Sequence, residues 1–403
     1  MITTEKIEEW LKEVQERPES AALILQYIAN RLRDLSSRNE ALLEENIALQ
    51  SGKRVEEYEQ RIAHLEYQLE LLKRQVGGQL AGDEILDTSQ SKKLSETLSL
   101  LVYDALGKVL RFEIAPGSLE DGRLLGNLKG ELSAADEAPR LFVTSSLEEI
   151  LFVFTSGRVE ALPVESLAPA EWQEQPKQGV SLDWANVPIP SEPRAGETLA
   201  CLLPISKLAL SEFFLQTSRK GCAKKIGTSM AQTILGNHYI GSGVKQSPDK
   251  MFDILLCTNE DHLILISRHG YMLRVEVKRL SFSVEDVIRL DATDHLAAVL
   301  LAGAGKSILV MTQVGKAIHL AEESLEVAQT LKTRGKALLS AKRRESGVRV
   351  VGAAAVSDGD WSISLDQQGH LQVQSMEKLL GIGTVEAQSE LLAWTAFSAS
   401  MRR

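Results

Sequence analysis

Cationic side chains recur beside glycines in this sequence, at intervals that suggest one surface rather than scattered solvation. Arg219, Lys220, Lys224 and Lys225 flank Gly221, Arg268 and Arg274 flank Gly270, and Lys316 follows Gly315. A second group, Lys332, Arg334, Lys336, Lys342, Arg343 and Arg344, falls within Leu331 to Val350, the most basic stretch of the chain. Guanidinium and ammonium groups so arranged neutralise phosphates, and a curved track of them favours bent duplex DNA held by its backbone rather than read by its bases.

Other chemistry finds little support in the residues. Gly303, Ala304, Gly305, Lys306 and Ser307 imitate a phosphate loop. The full pattern needs a glycine five residues before Gly305, where Leu300 stands, and a helix after the serine, where Ile308 to Met311 reads as strand. The seven histidines, His64, His238, His262, His269, His295, His319 and His370, have no metal-ligand spacing. Cys201, Cys222 and Cys257 form no CxxC pair and read as buried thiols. No nucleophile elbow or dinucleotide fingerprint appears. The expectation is a chain without enzymatic activity, cofactor or metal.

The elements that carry the first basic group are β-hairpins. Residues 263 to 275 give the pattern most clearly: an apolar strand, a polar turn reaching Gly270, and a second strand with Arg274. It recurs in LVYDALGKVLRF, ILFVFTSGRVEAL, FFLQTSRKGCAKKI, ILVMTQVGKAIHL and SISLDQQGHLQV, with turn glycines Gly107, Gly157, Gly221, Gly270, Gly315 and Gly369. The spacings of 50, 64, 49, 45 and 54 residues suit a four-stranded unit repeated around an axis, so six blades are expected. Leu331 to Val350 then reads as the connection between the fifth and sixth blades, and Leu391 to Phe397 as a closing strand returning to the first. Between the second and third hairpins lies a segment, 163–197, holding six of the eleven prolines together with Trp172 and Trp184. It reads as an ordered surface loop.

Ahead of the repeats the pattern changes to helix. Ile7, Trp10, Leu11 and Val14 share one face of a short amphipathic helix over residues 1–17. Residues 18–76 carry a heptad seam through Ile28, Leu32, Leu35, Asn39, Leu42, Asn46 and Leu49, and a second from Val55 to Val76 after a register slip near Gly52. Asn39 and Asn46 both fall at a positions, which favours a parallel two-stranded coil in register and hence a homodimer. Residues 77–96 read as a flexible linker and 97–403 as the repeat domain. No apolar run approaches the roughly 20 residues that span a bilayer, so no membrane association is expected and a cytoplasmic, nucleoid-associated location is. Charge is segregated. Residues 216 to 350 hold 20 basic and 13 acidic residues, a local charge of +7 in a chain whose total is −10.

The hairpin pattern, a strand ending in Thr or Ser, then two or three residues, a glycine and a basic second strand, resembles the repeat of the C-terminal domains of DNA gyrase A and of its topoisomerase IV counterpart. VMTQVGKAIHL and ILISRHGYMLRV carry the likeness, which covers roughly residues 97 to 397. The resemblance implies a mainly β fold, a six-bladed β-pinwheel (propeller-like) whose blades exchange strands and whose basic rim wraps DNA. Here it is preceded by a long N-terminal α-helical parallel coiled coil, in place of the catalytic domain. The family's Gln-Arg-Arg-Gly-Gly-Lys-Gly box is absent, with a partial echo at Lys332, Thr333, Arg334, Gly335 and Lys336. The expected partners are double-stranded DNA with little sequence preference, a second copy of the chain, and a type II topoisomerase. The alternative expectation is a protein-interaction scaffold whose pinwheel no longer binds DNA.

Overall fold

The computed structural model describes residues 97–115, 119–132, 138–170, 180–240, 249–303, 306–321, 324–385 and 387–398, with isolated helical positions at 12, 21 and 26. The short helix, the coiled coil and the linker expected before residue 97 lie outside the described residues. So does the centre of the Pro-rich segment.

The described part is mainly β, and its strands form six small sheets, each built on one of the six hairpins. The fourth shows the plan. His262–Ser267 pairs antiparallel with Tyr271–Glu276 across the Gly270 turn, and on its other side with Leu296–Leu301. Corresponding third strands are Arg140–Ser145, Leu199–Pro204, Met251–Cys257, Val350–Val356 and Leu391–Ser398. Leu391–Ser398 is therefore the third strand of blade six and not a strand returning to blade one.

The apolar first strands face two neighbours. Leu263 and Leu265 pack toward blade three with Leu215, whereas Ile264 and Ile266 pack toward blade five with Ile308 and Val310. Alternating side chains of one strand thus enter two different cores, which is why these segments are continuously hydrophobic rather than alternating. Fully burying each such side chain stabilises the fold by about 1.5–3 kcal/mol. Six cores of this kind lie between successive blades, and the one joining Leu98, Leu100 and Val102 of blade one to Ile363 and Leu365 of blade six makes the arrangement a ring.

The turns have a common chemistry. In five of the six the side chain of the residue three before the glycine accepts a hydrogen bond from the amide after it: Asp104 from Lys108, Ser218 from Cys222, Ser267 from Tyr271, Thr312 from Lys316 and Asp366 from His370, all at 2.9–3.1 Å. In blade two Phe154 holds that place, and the Ser156 hydroxyl accepts from Arg158 N–H at 3.2 Å. Such short polar side chains hold tight turns in place of backbone partners. All six turn glycines have φ between +73° and +93°.

The segment between each hairpin and its third strand crosses to the previous blade. Glu285–Asp286, from blade four, extends the sheet of blade three, and Lys336–Ala337, from blade five, extends that of blade four. Leu331 to Val350 is therefore an exchanged segment rather than a simple connection. Leu124–Lys129, from blade one, joins His370–Ser375 of blade six, and Val180–Asp183 of the Pro-rich segment adds a parallel strand outside it. The exchanged segment docks on the turn glycine. Amides of Ile240, Ile288, Leu338, Val385 and Leu128 donate to the carbonyls of Gly157, Gly221, Gly270, Gly315 and Gly369 at 2.7–3.3 Å. A Cβ at Gly221 would overlap Ile288, and one at Gly369 would overlap the Leu128 carbonyl. Glycine is required there for passage of the neighbouring chain as well as for its positive φ. Blade one differs, because prolines run past Gly107 and the contact is made by Val109 N–H to the Pro188 carbonyl at 3.2 Å.

Candidate nucleic-acid interface

Exchange sets the position of the second basic group. The segment leaving blade five lays Val327 beside Arg274, where Ala328 N–H donates to the Arg274 carbonyl at 2.8 Å. It next meets the exchanged segment of blade four: Lys332 N–H donates to Val287 O at 2.8 Å and Arg289 N–H to Thr333 O at 2.9 Å. Lys336–Ala337 then pairs with Tyr271 and Met272, and Leu339 is buried over Gly270. A short helix, Ala341–Glu345, follows, with the Ser340 hydroxyl accepting from Arg343 N–H at its start. Leu325 and Leu339 anchor the segment in the core while Lys332, Arg334, Lys336, Lys342 and Arg343 are exposed.

Neighbouring elements enlarge this patch. Arg279 donates to the carbonyls of Ala328 and Gln329 at 2.7 and 2.5 Å, which ties it to the same segment. Arg289 is exposed beside Thr333. Arg334 pairs with Asp291 and lies over the Tyr271 ring at 4.5 Å, and Arg344 stacks against that ring at 4.9 Å. Lys278 holds Glu276 at 3.0 Å, and this hydrogen bond is the main cause that lowers the Glu276 carboxyl below its ordinary value. Arg289, Lys332, Lys336, Lys342 and Arg343 make none of the ion pairs found among the described residues. Their charge is free to meet an anion. Lys332 also sits at φ +64°, a left-handed conformation that costs a residue with a Cβ about 1–2 kcal/mol.

The hairpin residues are placed differently. Arg219 and Arg268 line the mouth of a central channel of about 650 Å³, apart from the exchanged segments at the sheet edges. Lys220 is exposed, but its ammonium donates to the carbonyls of Ala292 and Asp294, each at 2.6 Å. Lys224 is half-buried, and burial lowers its pKa. Lys225 corrects the expectation that this run is a surface track. It is 5% exposed, with its ammonium 4.8 Å from the Phe213 ring centre and 5.3 Å from that of Phe282, beneath the exchanged segment of blade four whose Ser281 carbonyl accepts Lys225 N–H. Arg274 is half-buried and donates to His262 Nδ1 and to Leu325 O, both at 3.3 Å. Lys316 is exposed beside Thr384.

Arg279 and Arg289 are not singled out by the sequence. Arg289 stands alone in its stretch and Arg279 has only Lys278 beside it, and both become part of the patch only through the crossing of two segments. Among the described residues no cluster of His, Cys, Asp or Glu could hold a metal ion, and no helix is long and apolar enough to cross a membrane.

Solved domains of similar structure include the C-terminal domain of DNA topoisomerase IV, at 17% identity and a TM-score of 0.46 over 76% of this chain and 95% of that one. Another is the DNA gyrase A C-terminal domain, at 12% identity and 0.49 over 74% and 99%. A third is the E. coli ParC C-terminal domain, at 14% and 0.33 over 75% and 99%. No family model and no curated protein matches the sequence.

Proposed function

We propose that the ring binds duplex DNA, without enzymatic activity and with little sequence preference, through the crossing segments of blades four and five. The carrying observation is the exposed set Arg289, Lys332, Lys336, Lys342 and Arg343, held on anchored backbone and outside every described ion pair. Phosphate contacts of this kind position a duplex without reading it. The acidic majority of blades one, two and six limits the contact to part of the rim, so the duplex is held over an arc rather than encircling the ring. Paired through the heptad segment around Asn39 and Asn46, two rings bridge or loop DNA in the nucleoid, the second contact gaining from effective concentration. Such bridging would affect DNA topology, including beside a type II topoisomerase.

Anisotropy of a short labelled duplex, titrated with the full chain at several salt concentrations, tests this reading. Binding that weakens steeply with salt supports it. Absence of binding at low salt overturns it and leaves the scaffold reading, which the net negative charge over residues 91 to 215 favours.

A further inference from the structure

The first residue of five of the six turns contributes to one end of the central channel. Arg219, Arg268, Gln313 and Gln367 line it, as does Ala105, so among these turn positions blades three and four supply the cations. Arg140 of blade one also lines the channel, but its guanidinium donates to the carbonyls of Ala200 and Phe252 at 2.8 and 3.0 Å. These positions are pinned by backbone bonds on both sides. Arg219 N–H donates to Lys250 O and its carbonyl accepts from Leu296, both at 2.9 Å. Arg268 N–H donates to His295 O at 2.8 Å and its carbonyl accepts from Val350 at 2.9 Å. His295 lines the same channel. Burial first, then the positive charges of Arg219 and Arg268, hold its pKa down to about 4, so both guanidinium groups act on one imidazole.

Asp104, Asp253 and Glu390 line the channel and Asp294 lies beside it; Asp253 accepts Ile254 N–H at 2.8 Å and faces the charge of Arg140. Asp294 Oδ1 accepts the amides of His269 and His295 at 3.0 and 2.9 Å, while its buried Oδ2 lies 3.8 Å from the His269 ring nitrogen and accepts no hydrogen bond. Asp104 holds its own turn, and Glu390 accepts from Gln367 at 3.2 Å on the blade-six side. Arg268 makes none of the ion pairs found among the described residues.

We propose that this mouth is a binding site for a compact phosphoryl anion, held by Arg219 and Arg268 with the His295 ring supplying a further hydrogen bond. Guanidinium groups match phosphoryl oxygens in paired hydrogen bonds. A channel of about 650 Å³ has the dimensions of a small-molecule site. A duplex, whose major groove alone is about 12 Å wide, is too large to enter it. The site is independent of DNA binding at the exchanged segments.

The test is calorimetric titration of the full chain with inorganic pyrophosphate, with inorganic phosphate and a nucleoside triphosphate as parallel arms that separate the sources of the phosphoryl group. Arg268→Gln and Arg219→Gln are each expected to weaken pyrophosphate by about tenfold or more, the worth of one charged hydrogen bond, and Arg268→Lys by less. Lys316→Gln and the double variant Lys332→Gln/Lys336→Gln should bind as the parent does. The His295 ring, neutral at about pH 5.5 without ligand, should take up a proton on saturation because the anion favours the imidazolium. No binding by the parent up to roughly 10 mM, equal binding by Arg268→Gln, an unmoved His295 ring, or loss of binding in the Lys332→Gln/Lys336→Gln variant would each overturn the assignment.

Discussion

Replacing Lys332 and Lys336 together with glutamine removes two exposed charges while keeping the stems that lie on the rim. Neither side chain takes part in a described ion pair, so the fold should be little affected and the change should fall on binding. If Arg289, Lys332, Lys336, Lys342 and Arg343 each neutralise one phosphate, log K falls with log salt at a slope of about −4.5, or about 500-fold between 50 and 200 mM salt. With two charges removed the slope becomes about −2.7 and the loss over the same range about 40-fold. The assay is anisotropy on a duplex short enough for one ring, at four or five salt concentrations. The diagnostic quantity is the change in slope, because a general defect in folding lowers the active fraction without changing it. A slope unaltered in the double variant, with binding intact, would refute the placement of DNA on the crossing segments.

Four further outcomes are expected. Gly369→Ala should destabilise the ring by about 3 kcal/mol or more, through positive φ and overlap with the Leu128 carbonyl, whereas Gly196→Ala, at similar φ in open space, should cost about 1–2 kcal/mol; chemical denaturation measures both. Lys225→Met should leave DNA binding unchanged and stability within about 1.5 kcal/mol, since a buried stem of similar volume is retained between the phenylalanines. Lys332→Gly should raise stability by about 1 kcal/mol by relieving its left-handed backbone, while lowering the salt slope by about 0.9. His295 is neutral when folded and titrates near 4, below its unfolded value of 6.5. The unfolded chain therefore binds the proton first, and stability falls as pH drops from about 6.5 toward 4. In denaturant titrations across that window, His295→Gln should lose less stability than the parent.

The six hairpins were legible because each writes its turn into a few contiguous residues: a short polar acceptor, then a glycine, as at Ser267 and Gly270. The third strands, such as Leu296–Leu301, were implied by the spacing. The exchange was implied only through the family likeness, and its partners could not be read. Ile288 docks 18 residues after its own turn glycine, Val385 docks 16 after, and Leu338 docks 23 after, so no fixed period marks the contact. The paired strands Glu285–Asp286 and Lys336–Ala337 are two residues long, too short to register as alternation. The burial of Lys225 has the same origin. Its strand looks basic and solvent-facing until a segment much later in sequence, at Ser281 and Phe282, is laid over it. The DNA patch was legible where charges are contiguous, from Lys332 to Arg343, and illegible where Arg279 and Arg289 arrive from another blade.

Because each blade is completed by residues from the next, and Leu98 shares a core with Ala393 and Phe397 at the other end of the described repeats, the ring has no terminal unit that could fray alone. Linear repeat arrays can lose their end modules one at a time; here removing any one blade uncovers a neighbour's edge and breaks two cores. Unfolding should accordingly be cooperative over roughly 300 residues, with a denaturant sensitivity to match. The nearness of the two ends also makes the order of the blades along the chain a matter of where it happens to be cut. Circular permutants opened within one of the crossing segments should tolerate joined natural ends far better than the intact ring tolerates the loss of a single hairpin.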